Sequence, residues 1–544
     1  MAVLRRRGDH GLGRLLGLRK PTSLFTRTRV RVPMRDGVEL LADHYAPVGA
    51  AAGTVLVRCP YGRGLPTSLL FARLYAARGY HVVLQSVRGT FSSGGQFTPM
   101  VHEAADGADT VAWLRRQPWF TGTFATIGLS YLGFTQWALL TDPPPELTAA
   151  VIAAGPHDFS ATSWGTGAFA LNDFLGWSDL MAHQEGLRRV RLLGARRRVA
   201  RTAGRLPAGA AARAMLRDRA RWYESWLAHP DPADPFWEPL RVPAALERVD
   251  IPVLLVGGWQ DLFAEQTLHQ YRRLRERGVP VALTMGPWTH SQLLTAGLGT
   301  LCRESLAWLD THLAGGPDTR GQRVRIKLTG GGWVQAGDWR PAPAAQVLHL
   351  HPGRLAAAAP PAGLAPASFR FDPADPTPTV GGRLLSADSG YRDDRRLADR
   401  ADVLTFTGAV LTAELTVTGR PVVELDHSAD NPHVDLFVRL SELHPDGRSV
   451  NVADGYLRLT GRPGPVRLEL DTVAHRFSAS SRIRLLVAGG SHPRFTRNLG
   501  TGEPVLSGVT LRPATHTVAF GASRLLLPVG APGLDRPWPA LTGH

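Results

Sequence analysis

The sequence predicts an α/β core joined to an all-β region, and three observations support this fold class. Apolar strand patterns alternate with helical patterns between about residues 30 and 155, which is typical of a mostly parallel sheet. The alternation stops between about Pro156 and Val249, where helical patterns dominate, and it resumes at Ile251. Beyond about residue 366 only short β-type runs spaced by turns remain, which indicates an antiparallel sandwich.

The individual elements follow in chain order. A turn at Asp36-Gly37 joins a hairpin-like pair of strands that begins near Val30. The core elements that follow are strands at Thr54–Val57, His81–Leu84 and Ala149–Ala153 and a helix at Ala104–Arg116. The C-terminal β-type runs are Val403–Phe406, Val422–Leu425, Val434–Leu440, Leu457–Leu459, Val466–Leu470, Ile483–Val487 and Val518–Phe520.

These patterns divide the chain into five segments. They are a flexible basic tail (1–25), the first part of the α/β core (26–155), a helical cap (156–248), the second part of the core (249–340) and a C-terminal β-sandwich (341–544). The stretch Pro341–Pro366 is rich in Ala and Pro and is predicted to be a linker or an irregular start of the sandwich. A chain of 544 residues is long enough for two to four domains.

Composition excludes several classes of protein. No apolar run reaches the length of about 18 residues that a membrane span needs. The basic start leads into Gly-Asp-His-Gly rather than an apolar stretch, so a secretory signal is not expected. The two cysteines, Cys59 and Cys302, give no disulfide framework and fit a cytoplasmic location. No Cys or His cluster has the spacing of metal ligands, so neither a metal nor another cofactor is predicted.

The segment Gly128-Leu129-Ser130-Tyr131-Leu132-Gly133 has the pattern of a nucleophile elbow. It follows the apolar residues Thr126-Ile127 and precedes the apolar run from Phe134 to Leu140, which gives strand, sharp turn and helix. The turn would expose Ser130 above the sheet and aim the N–H of Tyr131 at an oxyanion. Leu132 occupies the position of the usual second glycine, so this motif alone is a modest signal.

Partners for the serine follow two later strand patterns. Asp261 comes two residues after the strand pattern at Ile251–Trp259, and His290 comes after the strand pattern at Val281–Met285. Both would lie at the carboxyl edge of a parallel sheet, where open α/β proteins place their sites. Either residue alone could be a turn residue or a structural histidine, but the order Ser, Asp, His is that of α/β hydrolases. We therefore predict a triad of Ser130, Asp261 and His290.

The chain resembles the cocaine esterase and X-Pro dipeptidyl-peptidase family of serine hydrolases. The resemblance covers nearly everything from about residue 28 onward, and the family's own elbow has the form G-x-S-Y-x-G found here. The other matching segments are Arg31–Val38, Arg58-Cys59-Pro60-Tyr61, Val87–Gly95, Glu103–Trp119, Gly257–Asp261, Gly286–His290, Pro445–Gly455 and Pro493–Asn498.

The resemblance implies several features of fold and site. The core should be an α/β hydrolase with an inserted helical cap, and the C-terminal sandwich should be a jelly roll. The Tyr61 hydroxyl should be the second oxyanion donor beside the Tyr131 N–H, although a packed core tyrosine is the plain alternative. By similarity, Trp177, Phe263 and, as a looser match, Trp164 should wall the acyl pocket, although each could equally belong to the cap core.

The predicted function is hydrolysis of a small ester, amide or short peptide through an acyl-enzyme, with esterase activity on uncharged, aromatic-type acyl groups favoured. X-Pro dipeptidyl-peptidase activity is the alternative, with Asp173, Asp179 or Glu185 as the anchor for a substrate amine. A remote alternative from another class is a non-catalytic protein that binds its partner through the sandwich. A homo-oligomer is compatible with the family, but the sequence does not define the oligomeric state.

The net charge of +16 does not by itself indicate nucleic acid binding. Almost all the positive charge is Arg, alongside abundant Ala, Gly and Pro, which fits G+C-rich coding. One local excess, from Arg188 to Arg221, contains twelve Arg and one acid, Asp218. This run is expected to be a solvated helix face, or else a contact surface for anionic substrate or lipid. No base-reading motif accompanies it, so no nucleic acid partner is predicted.

Overall fold

The computed structural model describes residues 7–343, 345–461, 464–534 and 536–538. Its α-helices are α1 (Arg7–Leu15), α2 (Leu74–Ala76), α3 (Glu103–Leu114), α4 (Tyr131–Leu139), α5 (Phe159–Trp164), α6 (Leu171–His183), α7 (Ala195–Ala203), α8 (Ala208–Leu216), α9 (Trp222–Ala228), α10 (Ala244–Arg248), α11 (Ala264–Glu276), α12 (Leu298–His312) and α13 (Arg395–Ala398). A π-helical turn spans Leu69–Arg73, and 3₁₀ turns span Gly186–Leu192, Pro235–Leu240 and Ser291–Leu294.

The strands are numbered in chain order. They are β1 (Phe25–Pro33), β2 (Glu39–Pro47), β3 (Gly53–Cys59), β4 (Tyr80–Ser86), β5 (Phe124–Leu129), β6 (Leu147–Ala153), β7 (Val253–Gln260), β8 (Val281–Thr289), β9 (Val324–Lys327), β10 (Trp333–Ala336), β11 (Ala345–His351), β12 (Arg354–Ala356), β13 (Ala367–Phe371), β14 (Val403–Val410), β15 (Leu415–Gly419), β16 (Val422–Ala429), β17 (His433–Leu443), β18 (Ser449–Thr460), β19 (Val466–Glu469), β20 (Val473–Phe477), β21 (Arg482–Ala488), β22 (Ala514–Pro528) and β23 (Arg536–Pro537).

The first sheet has the order β1-β2-β4-β3-β5-β6-β7-β8-β9-β10-β23. Its centre, from β4 and β3 through β9, is parallel, and both edges are antiparallel. Strands β3, β4, β5 and β7 are buried along their whole length, because helices cover both faces. The α/β-hydrolase fold class is confirmed, and it brings the carboxyl ends of the central strands to one edge.

Alternating residues of this sheet feed two apolar cores. Leu56 and Val83 point into one core, and Val55, Val57 and Val82 point into the other. Burying one such aliphatic side chain stabilises the fold by about 1.5–3 kcal/mol, so a sheet covered on both faces is a rigid platform. The loops at its carboxyl edge are therefore anchored to a well-packed sheet.

The chain between β6 and β7 forms a helical cap. Helices α5 to α10 lie in this interval, and their aromatic side chains form a separate buried cluster that includes Phe159, Trp164, Phe174 and Trp226. Rings in this cluster meet edge-on or tilted, for example Phe159 and Phe174 with centroids 4.6 Å apart. Such contacts add to the stabilisation that burial provides. This cluster also includes Tyr131 and Phe134 of α4, so it joins the cap to the hydrolase core.

The C-terminal half is rich in β-sheet. One sheet has the order β18-β17-β21-β14-β12-β11-β22-β16-β19, with β13 also pairing with β22, and β15 pairs with β20 in a second, two-stranded sheet. Phe406, Val438, Leu485 and Val518 belong to the core between them. The last strand, β23, returns to the first sheet and pairs with β10.

Two segments differ from the sequence-based prediction. The predicted flexible tail contains the helix α1, and Leu16 just beyond it is buried in the hydrolase core. Arg19 pairs with Asp310 at 2.9 Å, so this segment is anchored; residues 1–6 lie outside the described residues. The predicted linker Pro341–Pro366 contains β11 and β12, because the period-two apolar residues of β11 pack into the sandwich.

No helix within the described residues combines the length and the apolar character that a membrane crossing needs.

Candidate active site

Ser130 lies on a strained turn between β5 and α4. Its backbone φ of 64° and ψ of −122° fall in a region that a residue with a side chain rarely adopts. The turn is held because the Ser130 N–H donates to the carbonyl of Ala153 at 2.9 Å, and its carbonyl accepts from Gly133 N–H at 2.8 Å. This geometry is that of a nucleophile elbow and lifts the hydroxyl above the sheet edge.

The glycine spacing of the elbow has a steric cause. A Cβ on Gly128 would lie 2.3 Å from the Cβ of Leu132, so this glycine makes room for the leucine that replaces the usual second glycine. A Cβ on Gly133 would lie 2.5 Å from the Cα of Gly155 in the chain just after β6. The later glycine therefore lets α4 approach its neighbouring strand closely.

Asp261 and His290 follow the adjacent parallel strands β7 and β8. Nδ1 of His290 is 2.6 Å from Oδ2 of Asp261, which is fully buried. The other carboxylate oxygen accepts the N–H of Phe263 at 2.7 Å, so both oxygens have a defined role. Because a carboxylate only accepts, Nδ1 carries the proton, and Nε2 of the neutral ring is left as an acceptor.

Tyr61 stands two residues past the end of β3 and lines the same cavity as Ser130. Its hydroxyl accepts the indole N–H of Trp177 at 3.1 Å. Since an indole nitrogen only donates, the tyrosine proton is free to donate elsewhere. Burial raises the pKa of Tyr61 above its usual value, so the hydroxyl keeps its proton at neutral pH.

The backbone amide of Tyr131 lies at the start of α4, where a helix N–H has no intrahelical acceptor. Its side chain is anchored away from the serine: the hydroxyl donates to Oε1 of Glu103 at 2.7 Å and accepts the N–H of Met100 at 2.8 Å. Glu103 is itself paired with Arg58 at 2.9 Å. Sequence reasoning missed the role of Glu103, which fixes the first turn of α4.

Ser130 and His290 line the same cavity, together with Tyr61 and Tyr131. The cavity volume is about 30 Å³, roughly that of one water molecule. Its other lining residues are mostly apolar and come from the cap and the loops around the site: Met100, Pro156, Phe159, Asp173, Phe174, Trp177, Leu262, Phe263 and Leu385.

The predicted pocket residues divide into two groups. Trp177 lines the cavity and stacks on the ring of Tyr131, with centroids 6.1 Å apart. Phe263 also lines it and meets the ring of His290 edge-on at 5.4 Å. Trp164 does not line it, because its ring is buried in the cap and its indole N–H donates to the carbonyl of Trp226 at 2.8 Å. We therefore do not retain Trp164 as a pocket residue.

Of the three cap carboxylates considered for an amine anchor, only Asp173 lines the cavity. Its Oδ1 accepts the N–H of Leu385 at 2.7 Å and the side-chain amide of Asn172 at 3.1 Å. Burial raises its pKa to about 6. Asp179 is occupied elsewhere, since it pairs with His183 at 3.2 Å and with Arg198, and Glu185 does not line the cavity.

Two other expectations concern residues away from the serine. Cys59 is buried and its pKa is raised to about 12 by burial, so its thiol stays protonated and unreactive.

Of the Arg-rich segment, the described residues Arg197, Arg201, Arg205, Arg217, Arg219 and Arg221 are exposed and form no ion pair with a described carboxylate. Whether this face is only solvated or contacts an anionic partner stays a prediction.

In the part of the chain that the structure describes, no group of three or more His, Cys, Asp or Glu side chains is arranged to hold a metal ion.

The α/β-hydrolase sheet, the serine on a strained elbow and the buried aspartate–histidine pair define a class of enzyme. The chain is a serine hydrolase that cleaves acyl esters or amides. The X-Pro dipeptidyl-peptidase (S15) family matches residues 36–292, and the C-terminal non-catalytic domain of X-Pro dipeptidyl-peptidases matches residues 318–525. The chain therefore belongs to the cocaine esterase and X-Pro dipeptidyl-peptidase family of serine hydrolases.

Individual relatives cover almost the whole chain. Cocaine esterase from Rhodococcus sp. is 29% identical over 535 residues, which span 87% of this chain and 92% of that protein. An aminopeptidase from a marine-sediment Thaumarchaeota archaeon superposes with a TM-score of 0.79 at 25% identity, covering 93% of this chain and 96% of the other. An α-amino acid ester hydrolase shares the fold with a TM-score of 0.79 at 24% identity, covering 93% and 97%.

Proposed function

We propose that Ser130, His290 and Asp261 are the catalytic triad of a carboxylic-ester hydrolase. The observation that carries this proposal is the 2.6 Å contact between Asp261 and His290, with His290 lining the same cavity as Ser130. In this scheme the Ser130 hydroxyl attacks the acyl carbonyl carbon while Nε2 of His290 takes its proton. Asp261 holds the imidazole tautomer that leaves Nε2 free to act as the base.

The acyl-enzyme cycle then has two matched halves. The first tetrahedral intermediate collapses with breakage of the bond to the leaving group, and His290 returns its proton to that alcohol or amine. Water enters, gives a proton to His290 and attacks the acyl carbon, and collapse of the second intermediate releases the acid and restores Ser130.

The oxyanion of each intermediate needs two donors, and we assign them to the Tyr61 hydroxyl and the Tyr131 N–H. The support for Tyr61 is its place in the lining of the cavity that holds Ser130, together with the Trp177 N–H that its oxygen accepts, which leaves its own proton available to donate. The support for Tyr131 is its position as the first residue of α4, where the amide has no helical partner.

The preferred acyl group is uncharged and aromatic in type. Phe159, Phe174, Trp177 and Phe263 give the cavity an aromatic lining, and the similarity to cocaine esterase favours an ester substrate. Phe174 and Trp177 both lie on α6, so this helix of the cap supplies part of that lining.

A second candidate is an aminopeptidase or X-Pro dipeptidyl-peptidase activity, and Asp173 favours it. Both donors to this carboxylate use Oδ1, and Oδ2 receives no hydrogen bond from a described residue. An ammonium or amide N–H of a substrate would supply the missing donor. The names of the family and of the structurally similar aminopeptidase agree with such a substrate.

A paired rate assay separates the two candidates. It compares p-nitrophenyl esters of aromatic acids with an X-Pro-p-nitroanilide, using Ser130→Ala as the blank, which should lose on the order of 10⁶ in kcat. Ester turnover with no cleavage of the anilide supports the esterase proposal. Cleavage of the anilide that needs a free amino terminus and is lost in Asp173→Asn overturns it in favour of the second candidate.

The cellular location, the partners and the oligomeric state are the last parts of the proposal. A cytoplasmic location is supported by the two cysteines, both of which are buried and unpaired. We expect no nucleic acid partner, and self-association is compatible with the family. Size-exclusion chromatography with light scattering measures the oligomeric state directly.

A further inference from the structure

One segment of the C-terminal half, residues 381–390, lies beside the active site. Its ends are joined by hydrogen bonds in both directions between Gly382 and Gly390, each 2.9 Å long, which close it into a compact loop. At its middle, Leu385 lines the cavity and its N–H is bound by Asp173 of the cap. At its end, a Cβ on Gly390 would lie 2.8 Å from Cγ2 of Thr289, the residue before His290.

Arg383 in this segment binds the loop that carries Asp261 at two points, one before and one after the aspartate. Its Nε donates to the carbonyl of Trp259 at 2.8 Å, two residues before the aspartate. Its Nη1 donates to Oε1 of Glu265 at 2.7 Å, four residues after the aspartate and in the first turn of α11. Its Nη2 donates to the carbonyl of Thr472 at 2.8 Å, which ties the guanidinium to the sandwich.

The charges around this contact favour a fixed geometry. The Arg383 side chain is only 4% exposed and also lies 3.1 Å from Asp471. Burial alone would raise the pKa of Glu265, but the nearby guanidinium groups of Arg383 and Arg420 outweigh it and bring the pKa down to about 2. Each of the three guanidinium nitrogens of Arg383 has an acceptor, so a displacement of this side chain would break these contacts together.

We propose that Arg383 is a positioning residue for the catalytic aspartate: it fixes the Trp259–Glu265 loop so that Asp261 stays in hydrogen-bond contact with His290. The inference rests on the proposed triad. It gives a role in catalysis to a half of the chain whose matching domain is described as non-catalytic. Arg383 does not line the cavity, so it acts on the rate of reaction rather than on substrate binding.

The test compares Arg383→Met with the matched control Arg420→Met, using hydrolysis of a p-nitrophenyl ester. Arg420 also pairs with Glu265, and with Glu469 at 2.5 Å, but no contact links it to the carbonyl of Trp259. We expect Arg383→Met to lower kcat about 10- to 100-fold with little change in KM, since a displaced catalytic group costs rate. Arg420→Met should keep most of kcat.

Arg383→Lys keeps the positive charge but lacks the planar guanidinium that bridges two acceptors. We therefore expect its kcat to lie between that of Arg383→Met and that of the wild type. It also carries the test if Arg383→Met does not fold. The proposal is overturned if the folded Arg383 variants keep the wild-type kcat, if only KM changes, or if Arg420→Met loses as much activity. Loss of the triad proposal would look different, because Ser130→Ala would then remain active.

Proton NMR gives a readout that a general loss of stability would not produce. The short bond between Asp261 and His290 should give a proton resonance far downfield, and this signal should be absent in Asp261→Asn. We expect it to move upfield in Arg383→Met and to stay in place in Arg420→Met. An unchanged signal in the Arg383 variant contradicts the proposal.

Discussion

The hydrolase core and the C-terminal sandwich meet at the same cavity but contribute to it in different ways. The core supplies the groups proposed to react, Ser130, Asp261 and His290, each just past the end of a parallel strand. The sandwich half supplies Arg383, which holds the backbone around Asp261, and Leu385, which lines the cavity. Reacting and positioning groups thus come from parts of the chain that are distant in sequence, as the separation of 118 residues between Arg383 and Glu265 illustrates.

This difference teaches that rigidity and reactivity are provided separately. The parallel sheet places three loops at one edge but does not fix the conformation of each loop. The loop after β5 is fixed internally, by the glycines that allow the strained Ser130 turn. The loop after β7 is fixed externally, through an ion pair with the sandwich.

Among the core substitutions that leave Ser130 in place, the largest effect is expected from Asp261→Asn. The amide can no longer stabilise the required imidazole tautomer, so kcat should fall by about 10⁴ while the fold is kept. Ester hydrolysis with a circular dichroism control measures both. Asp388→Asn, which changes an exposed carboxylate paired with Arg196, is the matched control and should have no effect. Similar rates for Asp261→Asn and wild type would remove Asp261 from the triad.

A smaller effect on the core side is expected from Tyr61→Phe, which removes one proposed oxyanion donor. We expect kcat to fall about 10²–10³-fold with little change in KM. Tyr223→Phe is the control, because Tyr223 is also a buried tyrosine but its hydroxyl has no hydrogen-bond partner among the described residues. If the two variants have the same kcat, Tyr61 is a packing residue and the second donor lies elsewhere.

The role of the elbow glycines in holding the Ser130 loop can be tested by measuring the stability of the folded protein. Gly133→Ala would place a methyl group against the backbone of Gly155, and we expect a loss of about 1–3 kcal/mol in the free energy of unfolding. Gly176→Ala in helix α6 has no atom within 4 Å of the added methyl, so it should be neutral or slightly stabilising. Thermal unfolding compares the two variants; equal Tm values would mean that the elbow tolerates a side chain there.

The contact between cap and sandwich at Asp173 should give the smallest effect, visible as a pH dependence. The pKa of about 6 lies above the usual 3.8, so the folded state favours the protonated acid, and its stability falls as pH rises through 6. Asp173→Asn removes this loss. Its Tm should exceed that of wild type by about 1–3 °C at pH 8 and by less at pH 4. A difference that is the same at both pH values contradicts this account.

Much of the core side was predictable from the sequence because its signals are local. Apolar runs locate the strands of the parallel sheet, and Asp261 and His290 directly follow two of them. The departure of the elbow from its usual glycine spacing was visible, but its cause needed the contact between Gly128 and Leu132.

The positioning groups could not be predicted in the same way. Arg383 lies in a segment without periodicity, among many arginines, and its partners are distant in sequence. Trp164 could not be placed from the sequence either. An aromatic residue in a cap can face the substrate or the cap core, and only the packing decides which. The anchored α1 segment and the strands at 345–356 likewise depend on distant apolar contacts.

The most direct test of the central claim is active-site labelling with a fluorophosphonate, followed by peptide mass spectrometry. A fluorophosphonate reacts only with a serine that a neighbouring base activates. The proposed site predicts a single label on Ser130, abolished in Ser130→Ala together with ester hydrolysis and strongly slowed in Asp261→Asn. A label on another residue, or ester hydrolysis that persists in Ser130→Ala, would contradict the account.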